Sequence, residues 1–179
     1  MTQVAAPAGV RWRLGNRTRK SVLVLHIASA GAWLGVDVVM GVLIFTALAR
    51  DDPATRALSY RALEVVAVGP LLACGLVCLL TGIVLGLGSR WGLVRYWWVA
   101  AKLVLNLILT GLVLVALAPE VAAHADQARQ LQAGLPALLD VGQLIFPPIV
   151  SPAALLVALV LAVFKPWGRI RRSGRPGTS

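Results

Sequence analysis

The chain has 179 residues and a formal net charge of +10; 59% of its residues are hydrophobic and only 13% are charged. This composition excludes an ordinary soluble globular domain. It also argues against a nucleic-acid-binding surface, because the basic residues flank long apolar stretches and are not interleaved with exposed aromatic residues. The composition is that of an integral membrane protein, with the lipid bilayer as its first expected partner.

Four apolar stretches are each long enough to cross a bilayer as a helix, which takes about 20 residues. They cover residues 21–48, 64–89, 96–118 and 136–164. The sequence therefore predicts an all-α fold, a polytopic bundle of four transmembrane helices over residues 21–164, with basic tails at 1–20 and 165–179. A cleaved signal peptide is the alternative for the first stretch, but the apolar part of a signal peptide has only about 7–15 residues.

Basic residues are concentrated in three of the segments that flank the apolar stretches. These segments contain Arg11, Arg13, Arg17, Arg19 and Lys20; Arg90 and Arg95; and Lys165, Arg169, Arg171, Arg172 and Arg175. The remaining segments, 50–61 and 119–134, also carry acidic residues and are predicted to be outer loops. The positive-inside rule then puts both termini in the cytoplasm. Most interfacial aromatic residues fall on that same side, namely Trp12, Trp91, Tyr96, Trp97, Trp98 and Trp167.

Polar residues recur at helical spacing inside each apolar stretch. In the first stretch Ser29, Trp33, Asp37 and Met40 share a face with His26. The other stretches contribute Cys74, Cys78 and Thr81; Lys102, Asn106 and Thr110; and Asp140, Gln143, Pro147 and Ser151. Polar groups are costly in hydrocarbon, so we expect a common polar interior. Its predicted members are Asp37, Asn106, Thr110, Asp140, Gln143 and Ser151. Hydrogen bonding between helices is the simplest role for the uncharged ones.

Three ionisable residues lie well inside the stretches. His26 and Lys102 each lie about 8 to 9 Å from the cytoplasmic end of a helix, so we expect them to flank one pocket. Asp37 lies about 16 Å further out, where an outer cluster is expected. The cluster would join it to Asp140 and Glu64 and to Arg50, Arg56 or Arg61. For His26 the alternatives are a neutral, hydrogen-bonded ring, a ligand and a proton relay. For Lys102 the alternative is an ammonium that reaches the interface.

Two further patterns suggest a metal and a partner. Cys74 and Cys78 are one helical turn apart, and with His26 they offer ligands for a soft metal such as copper(I), although buried cysteines more often serve as apolar packing residues. Two glycine pairs with G-x-x-x-G spacing, Gly31 with Gly35 and Gly82 with Gly86, favour close helix approach. A homo-oligomer or another membrane protein is therefore a possible partner.

The first stretch carries a family-like motif. Leu25-His26 followed by Trp33-Leu34-Gly35 resembles the L-H-x6-W-x-G signature of bacterial membrane proteins related to copper resistance protein D. Trp97-Trp98 ahead of Lys102 fits this resemblance too. The arrangement of His26 and Lys102 is similar to that of the four-helix membrane protoporphyrinogen oxidases. The resemblance implies a bacterial plasma (inner) membrane location and a cofactor, haem or copper, bound near His26, Trp33 and Lys102. It implies His26 as an axial ligand and Lys102 as the partner of a propionate or a substrate carboxylate.

Three functions remain open at this level. The chain is a non-catalytic membrane component that packs against a partner, a haem- or metal-handling protein, or a small transporter-like subunit in which Asp37 carries a proton or cation. The sequence contains no P-loop, G-x-S-x-G or H-E-x-x-H motif. No catalytic residue is predicted. Pro147, Pro148 and Pro152 are expected to kink the fourth helix.

Overall fold

A computed structural model describes residues 15–88, 96–136 and 140–164. Six α-helices occupy most of these residues: α1 (Asn16–Ala49), α2 (Pro53–Val66), α3 (Val68–Leu87), α4 (Trp97–Leu112), α5 (Ala118–Gln132) and α6 (Pro147–Phe164). A π-helical segment, Val113–Leu117, joins α4 to α5, and a 3-10 turn, Gly142–Ile145, precedes α6. The predicted all-α fold is confirmed for this part of the chain.

Four helical units are long and apolar enough to cross a membrane. They run over Asn16–Ala49, Pro53–Leu87, Trp97–Gln132 and Gly142–Phe164. Their apolar parts form a ring in which α1 contacts α3, α3 contacts α4, α4 contacts α6, and α6 contacts α1. Many large apolar side chains point outward, and α6 has no fully buried residue. This outer surface suits the hydrocarbon of a bilayer, where apolar side chains need no cover.

The prediction of outer loops was wrong, because α2 and α5 fill most of those segments and pack against each other. One face of each helix is buried and carries apolar residues three or four positions apart, as an amphipathic helix does. The buried apolar residues are Ala57, Tyr60 and Leu63 on α2, and Val121, Ala125 and Ala128 on α5. The charged residues on the opposite faces made both segments look like loops. We call α2 and α5 the outer helix pair, after the outer loops predicted at these positions.

Prolines and one acidic cap set several helix boundaries. Asp52 caps α2 by accepting hydrogen bonds from the backbone N–H groups of Ala54 and Thr55, and Pro53 follows at the first helical position. The break between α2 and α3 falls at Ala67. Pro70 explains that break, because it has no N–H for the carbonyl four residues earlier and its ring crowds that carbonyl.

The fourth predicted helix is shorter than expected, because residues 140–146 form no α-helix and α6 begins at Pro147. Pro147 and Pro148 occupy the first turn of α6, where a missing N–H costs nothing, so the kink predicted at these two residues is wrong. Only Pro152 lies inside α6. At the other end of the fold α1 begins at Asn16, so residues 16–20 of the predicted tail belong to its first turns.

Other predictions fall outside the described residues. They concern residues 1–14, the loop that contains Arg90 and Arg95, and the tail at 165–179. Trp12, Trp91 and Trp167 belong to these parts of the chain as well.

Candidate functional site

The polar stripe predicted on α1 faces the interior of the bundle. Ser29, Trp33, Asp37 and Met40 are buried and His26 is half-buried. Trp33 and Asp37 are each only 1% exposed. A tryptophan and an aspartate one turn apart on the first helix are therefore part of the core.

Two hydrogen bonds connect Trp33 and Asp37 through Ser151 on α6. The indole Nε1–H of Trp33 donates to Ser151 Oγ at 2.9 Å, and the Ser151 hydroxyl donates to Asp37 Oδ2 at 2.7 Å. Because Ser151 both accepts and donates, the orientation of its hydroxyl is fixed. The Asp37 carboxyl is consequently anchored to α6 by one oxygen.

The other side of the Trp33 ring lies against Gly75 on α3 and Thr110 on α4. A Cβ atom at Gly75 would lie 2.6 Å from Trp33 Cζ3 and 2.7 Å from Thr110 Oγ1. Only glycine allows this approach, so the ring brings α1, α3 and α4 together. Trp33, predicted as a cofactor contact, is committed to helix packing and to Ser151.

Three buried polar oxygens have no hydrogen-bond partner among the described residues. They are Asp37 Oδ1, Asn106 Oδ1 and Thr110 Oγ1. Nor does any Lys, Arg or His in the described part of the chain form an ion pair with Asp37. An ionised carboxylate without a partner is costly in an apolar interior. The Asp37 carboxyl is therefore suited to holding a proton or to meeting a positively charged ligand.

Asp37 lines two cavities. One is an internal cavity of about 270 Å³ between α1, α3, the π-helical segment and α6, and Trp33 and Ser151 line it too. The other is a groove of about 600 Å³ between α1 and α6, which also includes Gly41, Pro148 and Arg50. Asp37 is thus a lining residue of both spaces.

The π-helical segment provides one wall of the internal cavity. Val113, Ala116 and Leu117 line it, and the wall continues into α5 at Glu120. Pro119 follows closely and cannot donate a backbone hydrogen bond, so a local change of helical register is expected at this point. The change keeps the apolar wall and the Glu120 carboxylate on one face.

His26 belongs to a separate contact between α1 and α3. Its Nδ1 lies 3.1 Å from the Cys78 carbonyl oxygen, 3.0 Å from Thr81 Oγ1 and 3.6 Å from Cys78 Sγ. A carbonyl only accepts, so the Cys78 contact requires Nδ1 to carry the hydrogen, which leaves Nε2 with a lone pair in the neutral ring. The His26 ring lies close to Gly82: a Cβ atom added at Gly82 would lie 3.3 Å from His26 Cε1.

Lys102 lies on α4 with its ammonium Nζ 4.8 Å from the centroid of the Trp98 ring, a cation–π distance. Neither cavity at Asp37 is lined by His26 or Lys102. The pocket predicted between these two residues is thus distinct from the space around Asp37.

The donor set predicted for copper does not form a three-ligand site. Within residues 15–88, 96–136 and 140–164, no group of three or more His, Cys, Asp or Glu side chains could hold a metal ion. Cys78 approaches His26, but Cys74 does not complete the set. The residues therefore do not fit copper bound by His26, Cys74 and Cys78. Haem ligation by His26, with Lys102 as a contact, stays a prediction.

The predicted outer cluster around Asp37 is not formed either. Glu64 pairs with Arg129 at 2.7 Å, and Arg129 also contacts Asp126 at 2.5 Å. Arg61 donates to Gln132, and Arg56 donates to the backbone carbonyls of Ala47 and Arg50. The contacts of Glu64 and Arg61 join α2 to α5, and those of Arg56 join α2 to the end of α1. Asp37 is left to Ser151.

Two members of the predicted polar interior lie elsewhere. Asp140 is exposed, and its backbone carbonyl accepts a hydrogen bond from the Tyr60 hydroxyl. Gln143 is exposed too, although it lines the outer end of the internal cavity. Both predictions assumed a continuous helix from residue 136, and the irregular backbone before Pro147 moves these side chains off the expected face. Thr110 is buried, and Asn106 is half-buried with its Oδ1 enclosed.

Glu120 is the site residue that the sequence interpretation missed, because it was assigned to an outer loop. The signal was present: Val113, Leu117 and Glu120 follow one another at helical spacing. Reading the helix past Pro119 would have placed the carboxylate on the same face as the apolar wall.

No protein-family model matches the chain, and no curated protein or solved structure is significantly similar to it. What the protein does is therefore inferred from its own residues.

Proposed function

We propose that this chain is a multi-pass protein of the bacterial plasma membrane in which Asp37 binds a proton or a small cation and carries it between the two sides. One observation carries the proposal. The Asp37 carboxyl is 1% exposed, has one oxygen without a hydrogen-bond partner among the described residues, and borders two cavities.

The cost of a buried charge explains why the Asp37 carboxylate would bind a proton or a cation. Placing an ionised aspartate at the centre of a membrane helix costs about 2.5 to 3.5 kcal/mol on insertion scales. A bound proton removes this charge, and a bound cation compensates it. Acidic residues of this kind mark proton relays and ion paths in membrane proteins. The adjoining cavities give such a partner room to arrive and leave.

The orientation proposed for the chain has both termini in the cytoplasm. The chain has seven Asp and Glu residues, and all except Asp37 lie in the outer helix pair or in the segments next to it. The first turns of α1 carry Arg17, Arg19 and Lys20 and no acidic residue. This asymmetry favours an inner position for the start of α1 and an outer position for α2 and α5.

Labelling in intact cells tests the orientation. In a background with both cysteines replaced by alanine, Asp126→Cys should react with a membrane-impermeant thiol reagent, because Asp126 is exposed on α5. Thr18→Cys, exposed at the start of α1, should react only after the membrane is opened. The reverse pattern would overturn the orientation.

Ion movement tests the function itself. Purified protein is placed in liposomes that enclose a pH-sensitive dye, and an imposed pH gradient is followed with valinomycin and potassium present to compensate charge. We expect proton movement that depends on the protein and that Asp37→Asn abolishes, because the amide carries no exchangeable charge.

The matched control is Asp126→Asn, the same change on the exposed surface of α5. It should leave the movement intact. Melting curves should first show that Asp37→Asn and Asp126→Asn are both folded. Equal proton movement in wild type and Asp37→Asn would then contradict the proposal. An equal loss of proton movement in Asp37→Asn and Asp126→Asn would contradict it as well.

A further inference from the structure

We infer that the internal cavity takes a small organic cation with an apolar body, a protonated or quaternary amine. The inference rests on the proposed function and adds the class of ligand to it. It comes from the charges that line the cavity, the character of its walls and the position of its outer end.

Charge selects the sign of the ligand. Among the described residues, the ionisable side chains that line the internal cavity are Asp37 and Glu120, and both are acidic. No Lys, Arg or His of that part of the chain lines it. In a partly open space with apolar walls the field of such groups is less screened than in bulk water, so the cavity favours a cation and disfavours an anion.

The walls select an organic cation over a metal ion. Most lining residues are apolar, and they include Met40, Leu71, Leu109, Val113, Leu117 and Val150. Calcium takes six to eight oxygen ligands and magnesium an octahedral set, whereas oxygen-bearing side chains here are few. An apolar lining with a few polar groups is typical of small-molecule sites. The volume of about 270 Å³ suits a compact ligand.

Trp33 and Asp37 together form the inner end of the site. Trp33 lines the cavity, and its indole N–H is already donated to Ser151. Aromatic rings attract ammonium groups, and Asp37 Oδ1 has no hydrogen-bond partner in the described part of the chain. An ammonium next to Asp37 would meet a carboxylate and an aromatic surface at once.

The outer end of the cavity provides the entrance. The Glu120 side chain is 41% exposed and Gln143 is exposed, whereas Asp37 is buried. A cation would first be attracted by Glu120 and then move along the π-helical wall to Asp37. On arrival it pairs with the ionised carboxylate, and the proton that had neutralised Asp37 leaves to water. One positive charge enters for each proton that departs.

Binding of benzyltrimethylammonium to the detergent-purified protein tests the inference. This probe has a fixed charge and a compact apolar body, and equilibrium dialysis of the labelled compound measures its affinity. We expect saturable binding of one probe per chain. Asp37→Asn should weaken it roughly 30-fold or more, as removal of one partner of a buried charge pair does.

Two further variants sharpen the result. Glu120→Gln should weaken binding less, with a loss that fades at high salt, because a charge at the rim mainly attracts the ligand. Ala116→Phe narrows the cavity and changes no charge, so it should also lower affinity; it keeps the test decisive if Asp37→Asn does not fold. Asp126→Asn should bind as wild type does.

Several outcomes would overturn the inference. Binding that does not saturate would contradict it. So would binding that neither Asp37→Asn nor Ala116→Phe weakens. Binding that the uncharged analogue neopentylbenzene blocks as well as the cation does would contradict it too. Absence of probe binding together with Asp37-dependent proton movement would refute the organic cation and leave the proposed function standing. Absence of both would refute the two together.

Discussion

Acidic side chains occur between helices in two regions of this protein, and their surroundings are opposite. In the bundle, Asp37 is enclosed, touches Ser151 and has no basic partner among the described residues. In the outer helix pair, Glu64 and Asp126 both contact Arg129 in a partly exposed position. The same functional group thus connects helices at the surface and is left available in the interior.

This difference shows how a charged residue with a structural role can be distinguished from one with a functional role. Exposed ion pairs are solvated and screened, so they contribute little to stability and are easily replaced. A buried carboxyl without a counter-charge weakens the fold unless something neutralises it. Retaining one in the lining of two cavities is a cost that the proposed binding role would explain. The following predictions test this contrast, beginning with the largest effect.

Gly75→Leu should be the most damaging change. The new side chain would start 2.6 Å from Trp33 and 2.7 Å from Thr110, where three helices meet. Overpacking of this kind costs about 1 to 3 kcal/mol and occasionally more. A large drop in melting temperature in detergent is expected. The control is Gly69→Leu on the same helix, where an added Cβ meets nothing within 4 Å. Similar losses in both variants would contradict the close packing.

Ser151→Ala should come next, because it removes the only link between Trp33 and Asp37 that the structure describes. The indole N–H and one carboxyl oxygen lose their partner, and an unsatisfied buried group costs about 1 to 3 kcal/mol. Ser21→Ala removes an exposed hydroxyl that bonds the Arg17 carbonyl and should change little. Equal melting temperatures for the two variants would show that the buried hydrogen bonds do not stabilise the bundle.

Asp52→Ala tests the outer helix pair through the pH dependence of the stability that the Asp52 cap gives to α2. Hydrogen bonds from Thr55 and Ala54 lower the pKa of Asp52 below its usual value of 3.8. The cap therefore stabilises α2 above that pH, and the benefit is lost as the pH falls through the lowered pKa. The variant should melt below wild type near neutral pH, and the difference should shrink at a pH of about 2.5.

The control for this titration is Asp51→Ala, because Asp51 precedes the cap and makes no hydrogen bond to the start of α2. It should melt as wild type does at both pH values. A difference between wild type and Asp52→Ala that grows on acidification would have the wrong sign and would reject the cap as its cause.

Arg129→Gln should have the smallest effect, since it breaks exposed contacts with Glu64 and Asp126. The shift in melting temperature should be well below that of Ser151→Ala and should become smaller in about 1 M salt, because salt weakens exposed ion pairs. A shift larger than that of Ser151→Ala would reverse the contrast between the two regions.

Much of the buried face of α1 could be predicted, because helical periodicity is a local property. The spacing of Ser29, Trp33, Asp37 and Met40 was enough to place them on one inward face. Ser151 was likewise assigned to the polar interior. What could not be predicted was that Ser151 forms hydrogen bonds with both Trp33 and Asp37. Ser151 is 118 positions from Trp33 and 114 positions from Asp37 in the chain, so these contacts depend on how the helices pack.

The sequence was least informative where the helical pattern changes. Asp140 and Gln143 were misplaced because the backbone before Pro147 is not α-helical. Glu120 was missed because the helix continues past a proline through a change of register. A single residue of shift rotates every later side chain by about 100°, so such errors move residues to other faces.

Hydrophobicity and charge by themselves determined the all-helical class, the four long apolar helices and the inward face of α1, since each follows from residues close together in the chain. Only the tertiary structure decided which helices are neighbours, that α2 pairs with α5, and that Asp37 meets Ser151 and two cavities. The reason is physical: burial and periodicity act along a helix, whereas the partner of a polar group is fixed by the packing of distant segments.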